Sequence, residues 1–293
     1  MKLFFIRLFL FLGLAFWVDF SIGEILSYMD SHARGGISKW NYYVTRESKA
    51  DIYIFGSSRA NHHYVSSILK DSLQGDCINC GLDGNGIIYN YAILKSILKR
   101  HTPTLIILDV VACFDLETND NSKYLTWLRP KSDIQEIDSV ICEIEPTERF
   151  KMMCQSYKWN SKFFYFVKDY LVNRPTGWDN GYAAQYATVT YAPEECRMDS
   201  ILIDSVKIGF LKRFIKEASS KTKLVAFTSP AYGAMSAKAY DIVDSICREM
   251  NVPYFNYYCD STMVMNQRWF ADSFHLNDAG AHVYTRKIVN KLK

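Results

Sequence analysis

The chain has almost no excess of either charge. Its 34 Lys and Arg stand against 31 Asp and Glu, a net of +3, and the basic residues are scattered among acidic ones. A nucleic-acid backbone demands a concentrated positive face, so no nucleic-acid partner is expected. No internal repeat and no low-complexity tract is present. Cys77-Ile78-Asn79-Cys80 has no second CxxC to complete a zinc site. The loop at Gly56 has neither a glycine-rich fingerprint nor a lysine, which argues against a phosphate- or nucleotide-binding flavodoxin-like domain. Disorder is excluded as well, because 49% hydrophobic against 22% charged residues over 293 positions can bury a large core.

What is present begins with an apolar run. Leu3 to Ile22 is almost all apolar, interrupted by Arg7 and Asp19, and about 20 helical residues cross a hydrocarbon core of roughly 30 Å. Lys2 and Arg7 precede the densest part, Leu8 to Val18, which holds that end in the cytoplasm and exports the remainder. Trp17 and Phe20 suit interfacial anchoring and no lipid-attachment cysteine follows, so residues 1–23 read as an uncleaved signal anchor. Cleavage after Ser21-Ile22-Gly23 would instead give a secreted protein. The expected location is the cell membrane, single-pass, with the folded domain periplasmic or extracellular. Export places the eight cysteines in an oxidising space. On a strand, Cys77 and Cys80 lie roughly 10 Å apart on opposite faces and read as buried free thiols. Cys142, Cys154 and Cys196 lie in a less regular stretch that better accommodates a bridge.

Residues 24–50 are polar, contain Gly35-Gly36 and read as a membrane-proximal stalk; 51–293 form the globular domain. Within it, apolar runs at 51–55, 77–80, 105–111, 224–228 and 254–258 alternate with helical patterns at 60–73, 87–100, 201–219, 237–251 and from Asp278 onward. Such alternation predicts an α/β fold of three layers, with a mainly parallel five-stranded sheet and a ligand site at the strands' carboxyl ends. Residues 113–200 break the rhythm and read as an insertion or cap. Phe163, Phe166, Val167 and Tyr170 fall at helical spacing there, and Trp127, Trp178, Tyr182, Tyr186 and Tyr191 add rings. These rings are expected to pack the insertion onto the sheet. The 15% aromatic share also suits a carbohydrate- or lipid-facing groove.

Two segments carry chemistry. Phe55-Gly56-Ser57-Ser58-Arg59-Ala60 sits between the first strand and its helix, where free backbone N–H groups favour a developing oxyanion. An ordinary serine N-cap and a phosphate-binding turn fit the same residues. Asp272-Ser273-Phe274-His275 precedes the last helix and supplies an imidazole with a carboxylate to orient it, as a serine nucleophile requires. In a parallel sheet both loops lie on one rim. Arg59 is a candidate for binding an anionic substrate group or for pairing with a carboxylate. His62 and His63 diverge by about 100° on a helix, so at most one faces the site and surface positions are expected. His282 reads as a solvated or core histidine.

These residues resemble the SGNH/GDSL hydrolase superfamily: Gly56-Ser57-Ser58 is similar to its Gly-Asp-Ser motif, and Asp272 to His275 to its terminal Asp-x-x-His. The likeness covers about 51–114 and 201–293 and leaves the insertion unmatched. It implies Ser58 as nucleophile, His275 as general base and Asp272 as its orienter. It also implies backbone N–H groups of Ser58 and Gly84 as oxyanion donors, Gly84 lying in Asn79-Cys80-Gly81-Leu82-Asp83-Gly84-Asn85-Gly86 after the second strand. The family's Gly-x-Asn-Asp after the third strand has no counterpart in Leu108 to Asp115, and losing one such donor typically costs about 3 to 4 kcal/mol. Asn85 and Asn119 are candidate substitutes, while Asp109 is expected to be a structural hydrogen-bonder. Membrane-anchored exported members resemble proteins that assist O-acylation of cell-wall and exopolysaccharides, some beside multipass O-acyltransferases. The expected function is therefore an extracytoplasmic serine esterase or O-acyltransferase. It would act on an acylated saccharide or similar ester without a metal or cofactor. The rival from another class is a weak or inactive module that binds glycan or a partner protein.

Overall fold

The computed structural model describes residues 1–172 and 179–293; Trp178 lies outside them. The chain divides into two compact units, one formed by Met1–Glu47 with Asn121–Thr176, the other by Ser48–Asp120 with Gly177–Lys293. The residues expected as a single insertion are thus split between the two.

The first unit is helical. It opens with α1 (Lys2–Ser31) and α2 (Gly36–Arg46), so most of the stretch read as a stalk is helix. After the intervening segment that belongs to the other unit, it resumes with α7 (Gln135–Ile144), α8 (Glu148–Lys151), α9 (Gln155–Asn160) and α10 (Phe163–Leu171). The rings Trp127, Trp159 and Phe166 are buried against each other, with Phe166 4.9 Å from Trp159 and 6.2 Å from Trp127. They pack within their own unit, which is where their hydrophobic energy is realised. Two buried ion pairs hold this unit: Lys131 with Asp30, and Arg129 with Glu148.

The second unit contains β1 (Ile52–Phe55), α3 (Ser58–His63), α4 (Ser66–Leu73), β2 (Cys77–Asn79), α5 (Ile87–Arg100), β3 (Leu105–Asp109) and α6 (Ala112–Asp115). It continues through β4 (Cys196–Arg197), α11 (Ser205–Ser219), β5 (Lys223–Thr228), β6 (Ala234–Ser236), α12 (Asp241–Glu249), β7 (Tyr254–Asn256) and α13 (Asp278–Leu292). Five strands pair in parallel in the order β2-β1-β3-β5-β7, while β4 and β6 form a separate parallel pair. Alternation along the strands serves two covered faces. Ile52, Ile54, Leu105, Ile107, Val225 and Phe227 share a core with Leu69 of α4 and Tyr284 and Ile288 of α13. On the opposite face Phe55 meets Phe214 of α11 at 5.3 Å, and Phe210 of α11 meets Tyr91 of α5 at 5.6 Å. Near-continuous apolar strands are the signature of this double burial.

The helix expected over 60–73 is broken at Tyr64 and Val65. Thr285 of α13 accepts the Val65 N–H at 3.0 Å and donates to His63 O at 3.1 Å, so tertiary bonds replace helical ones. All eight cysteines are free. Cys77 and Cys80 are buried thiols, as expected for opposite faces of a strand. The bridge favoured among Cys142, Cys154 and Cys196 is not formed: their sulfurs lie beside Asp138, Asp19 and the Tyr258 hydroxyl.

Candidate active site

Strand β1 ends at Phe55, and Gly56 turns the chain into α3 with φ +152°. A Cβ there would stand 2.7 Å from Ala60 Cβ and 2.8 Å from Asp109 O, so only glycine lets the turn sit this tightly on β3. Ser57 is fully buried, its hydroxyl without a hydrogen-bond partner among the described residues. Ser58, the first residue of α3, is half-buried, and its Oγ lies 2.8 Å from His275 Nε2.

The imidazole is oriented from behind. His275 Nδ1 lies 2.9 Å from Asp272 Oδ2 and 3.1 Å from Oδ1. Asp272 Oδ1 also accepts the N–H groups of Phe274 at 2.7 Å and His275 at 2.8 Å, which folds Asp-x-x-His into a closed turn. Burial resists ionisation of Asp272, but the bonds from His275 and Phe274 outweigh it and bring its pKa down to about 2. With that carboxylate ionised, His275 holds its proton on Nδ1 and offers Nε2 as acceptor to the Ser58 hydroxyl.

Neither neighbouring histidine is on the surface. His62 donates from Nδ1 to Ala183 O at 2.6 Å, and its Nε2 lies 3.3 Å from Asp83, with the ring 5.4 Å from that of His275. Burial disfavours its cation, yet the Asp83 carboxylate and the Ala183 carbonyl raise its pKa overall. His63 is fully buried and is pushed well down, first by burial and then by the Arg59 charge. Its neutral ring accepts the Leu276 N–H at Nε2 (2.9 Å) and lies 2.9 Å at Nδ1 from Ser229 Oγ. Ser229 in turn donates from N (2.9 Å) and Oγ (3.3 Å) to Asp109, which also accepts from Tyr64 at 2.6 Å. Burial raises Asp109 to about 6 despite these donors. A buried chain of polar groups therefore ends on the backbone N–H next to His275. Sequence reading missed His63 and Ser229 in this role, since neither sits in a motif. It also missed the segment after 179, whose Tyr191 hydroxyl meets Ser273 Oγ at 2.8 Å and whose Val189 N–H bonds Phe270 O at 2.9 Å.

Arg59 turns inward: its guanidinium donates to Ser229 O at 3.2 Å and lies over the Tyr258 ring at 5.3 Å. Gly84, at φ +70°, occupies the Leu82 to Asn85 turn, and the space beside its Cα is open. Asp83 ties one side of this turn to α3 through Asn61. On the other side Gly86 packs against Phe114, where a Cβ would stand 2.4 Å from the carbonyl oxygen. The Asn85 amide donates to Asp83 O at 3.0 Å, and the Asn119 amide to Cys113 O at 2.9 Å. His282 lies on α13, half-exposed, bonded to Asp278 O. A cavity of about 210 Å³ opens beside Ser58 and His275, walled by Val111, Cys113, Phe114 and Phe274, and Arg59 also lines it although its guanidinium is held by Ser229 O.

No protein-family model matches the chain, and no curated protein does. Among solved structures, similarity is found to one described as "a putative platelet activating factor from Streptococcus pneumonia", at 10% identity and TM-score 0.36, covering 97% of this chain and 99% of that one. A likeness of that size carries no inference about activity.

Proposed function

We propose that the protein is a membrane-anchored, extracytoplasmic serine esterase or O-acyltransferase of the SGNH type, with Ser58 as nucleophile, His275 as general base and Asp272 as orienter. The reading is carried by the unbroken line of hydrogen bonds from Ser58 Oγ through His275 to Asp272. Ser58 Oγ attacks the ester carbonyl as His275 Nε2 takes its proton, and the Nδ1–H bond to Asp272 stabilises the imidazolium. The tetrahedral oxyanion is met by the N–H groups of Ser58 and Gly84. Collapse expels the alcohol, which takes the proton back from His275 and leaves the acyl group on Ser58. Water or a sugar hydroxyl, deprotonated by His275, then attacks the acyl carbonyl and releases Ser58.

The apolar wall of Val111, Cys113, Phe114 and Phe274 suits the acyl side of the ester. Since a dry cavity of roughly 150 Å³ holds benzene, the cavity beside Ser58 fits an acyl group of up to about eight carbons. The acceptor side is a saccharide in this reading, and α1 keeps the enzyme beside a membrane-bound acyltransferase. Labelling by a fluorophosphonate probe tests it: covalent capture that disappears in Ser58→Ala is expected, and capture that survives removes Ser58 from the role.

One observation favours a second reading, a glycan- or partner-binding module with little turnover. Of the two candidate stand-ins for the family's third oxyanion donor, Asn119 directs its amide to the Cys113 and Glu117 carbonyls and Asn85 commits one amide hydrogen to Asp83 O. Hydrolysis of p-nitrophenyl acetate that depends on His275 separates the two.

A further inference from the structure

α1 has thirty residues, about 45 Å of helix, more than the roughly 30 Å of a hydrocarbon core. Side chains Leu3 to Val18 are all exposed, and protein covers α1 only from Asp19 onward. The Asp19 carboxylate accepts the N–H groups of Gln155 at 2.7 Å and Ser156 at 2.8 Å, together with the Ser156 hydroxyl, and so caps α9. Four residues later a Cβ on Gly23 would fall 2.6 Å from Gln155 Cγ, so the start of α9 lies directly on the α1 backbone. Farther along, Tyr28 meets Tyr170 of α10 at 6.0 Å.

This arrangement leaves the bare part of α1 too short. Sixteen residues, 3–18, span about 24 Å, several ångströms less than the hydrocarbon they would cross. The boundary of the bilayer therefore reaches Asp19 and, with it, the link between α8 and α9. Phe150 on α8 and Met153 in that link are each 73% exposed. Met153 is two residues from Gln155, hence within about 7 Å of it along the chain. Phe164, at the start of α10, is 78% exposed. Large apolar side chains bare to water at this density are costly, whereas the headgroup layer accepts them beside basic residues. Arg149 and Lys151 supply those bases on the same short helix as Phe150.

Resting on the anchor part of the proposed function, we infer that Phe150, Met153 and Phe164 insert into the headgroup layer of the membrane that α1 crosses, with Arg149 and Lys151 among the phosphates of anionic lipid. α1 and the α8–α10 surface then form one membrane-binding face. Such two-point attachment restricts rotation of the helical unit about α1.

The test uses the full chain in nanodiscs of mixed phosphatidylglycerol and phosphatidylcholine, with photo-reactive benzoylphenylalanine replacing Phe11, Phe150, Met153 or, as a control twenty residues past Asp19, Lys39. Lipid adducts are expected from positions 11, 150 and 153 and none from 39. Adducts at 11 with none at 150 and 153 overturn the inference and leave the anchor standing. Absence at 11 removes the anchor and this face together. Adducts of 150 or 153 with a second polypeptide would assign the surface to another copy of the chain. Melting of each variant checks that it is folded, and R149Q/K151Q is expected to lower the phosphatidylglycerol share of adducts by about fivefold or more. An unchanged share overturns the role given to the two basic residues.

Discussion

The two units place buried charge in opposite ways. In the helical unit most buried ions are closed pairs, Arg129 gripping both Glu148 oxygens at 2.6 and 3.1 Å and Lys131 matched by Asp30, while buried Asp169 accepts from the Ser38 N–H and hydroxyl. They hold together helices of their own unit. In the sheet unit, polar side chains from distant loops converge on one rim, and one line of them ends at a half-exposed hydroxyl beside an apolar cavity. The difference teaches which buried polar groups point to chemistry: those whose last member still has a free direction toward solvent.

The comparison breaks most visibly at the hydroxyl. Ser58→Ala or His275→Ala is expected to abolish ester hydrolysis, a loss of at least about 10³-fold, while melting stays near that of the parent. Asp272→Asn should cost a similar factor. Because the Asp272 pKa lies at about 2, its carboxylate remains ionised at neutral and alkaline pH, and the fold-loss should be constant from about pH 8 to 9. A loss that varies within that window would count against a permanently ionised carboxylate.

The next effect falls on stability alone. Glu148→Ala strands the buried Arg129 and is expected to cost about 3–5 kcal/mol, whereas the R129M/E148L double variant recovers most of it. Denaturant melts of the full chain in detergent read both, and esterase activity per folded molecule should not change. If activity falls with stability in these variants, the two units are not functionally separate.

A smaller effect sharpens the picture of the sheet unit. His63→Leu removes the acceptor for the Leu276 N–H and is expected to lower kcat by about 10- to 100-fold with little change in KM, because it loosens the loop that carries His275. His63→Gln, which keeps an acceptor, should recover part of the rate. A purely structural role would lower melting without this split.

The smallest expected effect is at Asp109. Burial holds its folded pKa at about 6, above the unfolded value of 3.8, so its contribution is fully present below about pH 4 and is lost as pH rises through 6. Asp109→Asn should flatten the stability profile across that window, by about 1 kcal/mol or more. An unchanged slope would mean that the network keeps Asp109 ionised in the folded state.

Much of the sheet was legible in the residues. Five apolar runs separated by helical periods dictate parallel strands covered on both faces, and helix α5 over 87–100 follows directly from its spacing. The loop Gly56 to Ala60 and the pair Asp272 and His275 were legible together because serine activation requires those types and the strand-end rule puts their loops on one rim, whereas Ser58 rather than Ser57 was implied by the family resemblance alone. His63 was not, for its role depends on a backbone N–H 213 positions away and on a break in α3–α4 enforced by Thr285. The split of residues 113–200 between two units was equally hidden, since aromatic spacing names a buried face without naming what covers it.

Local patterns by themselves thus determined the strands, the apolar N-terminal helix and the pair of motifs, because backbone hydrogen bonding and side-chain period act over a few residues. Only the tertiary structure decided that Ser57 is buried and Ser58 reaches His275, that Arg59 turns inward, and that Asp19 is satisfied by the first turn of α9. Each of these depends on which distant group fills the remaining hydrogen-bond direction, and that partner is chosen by packing.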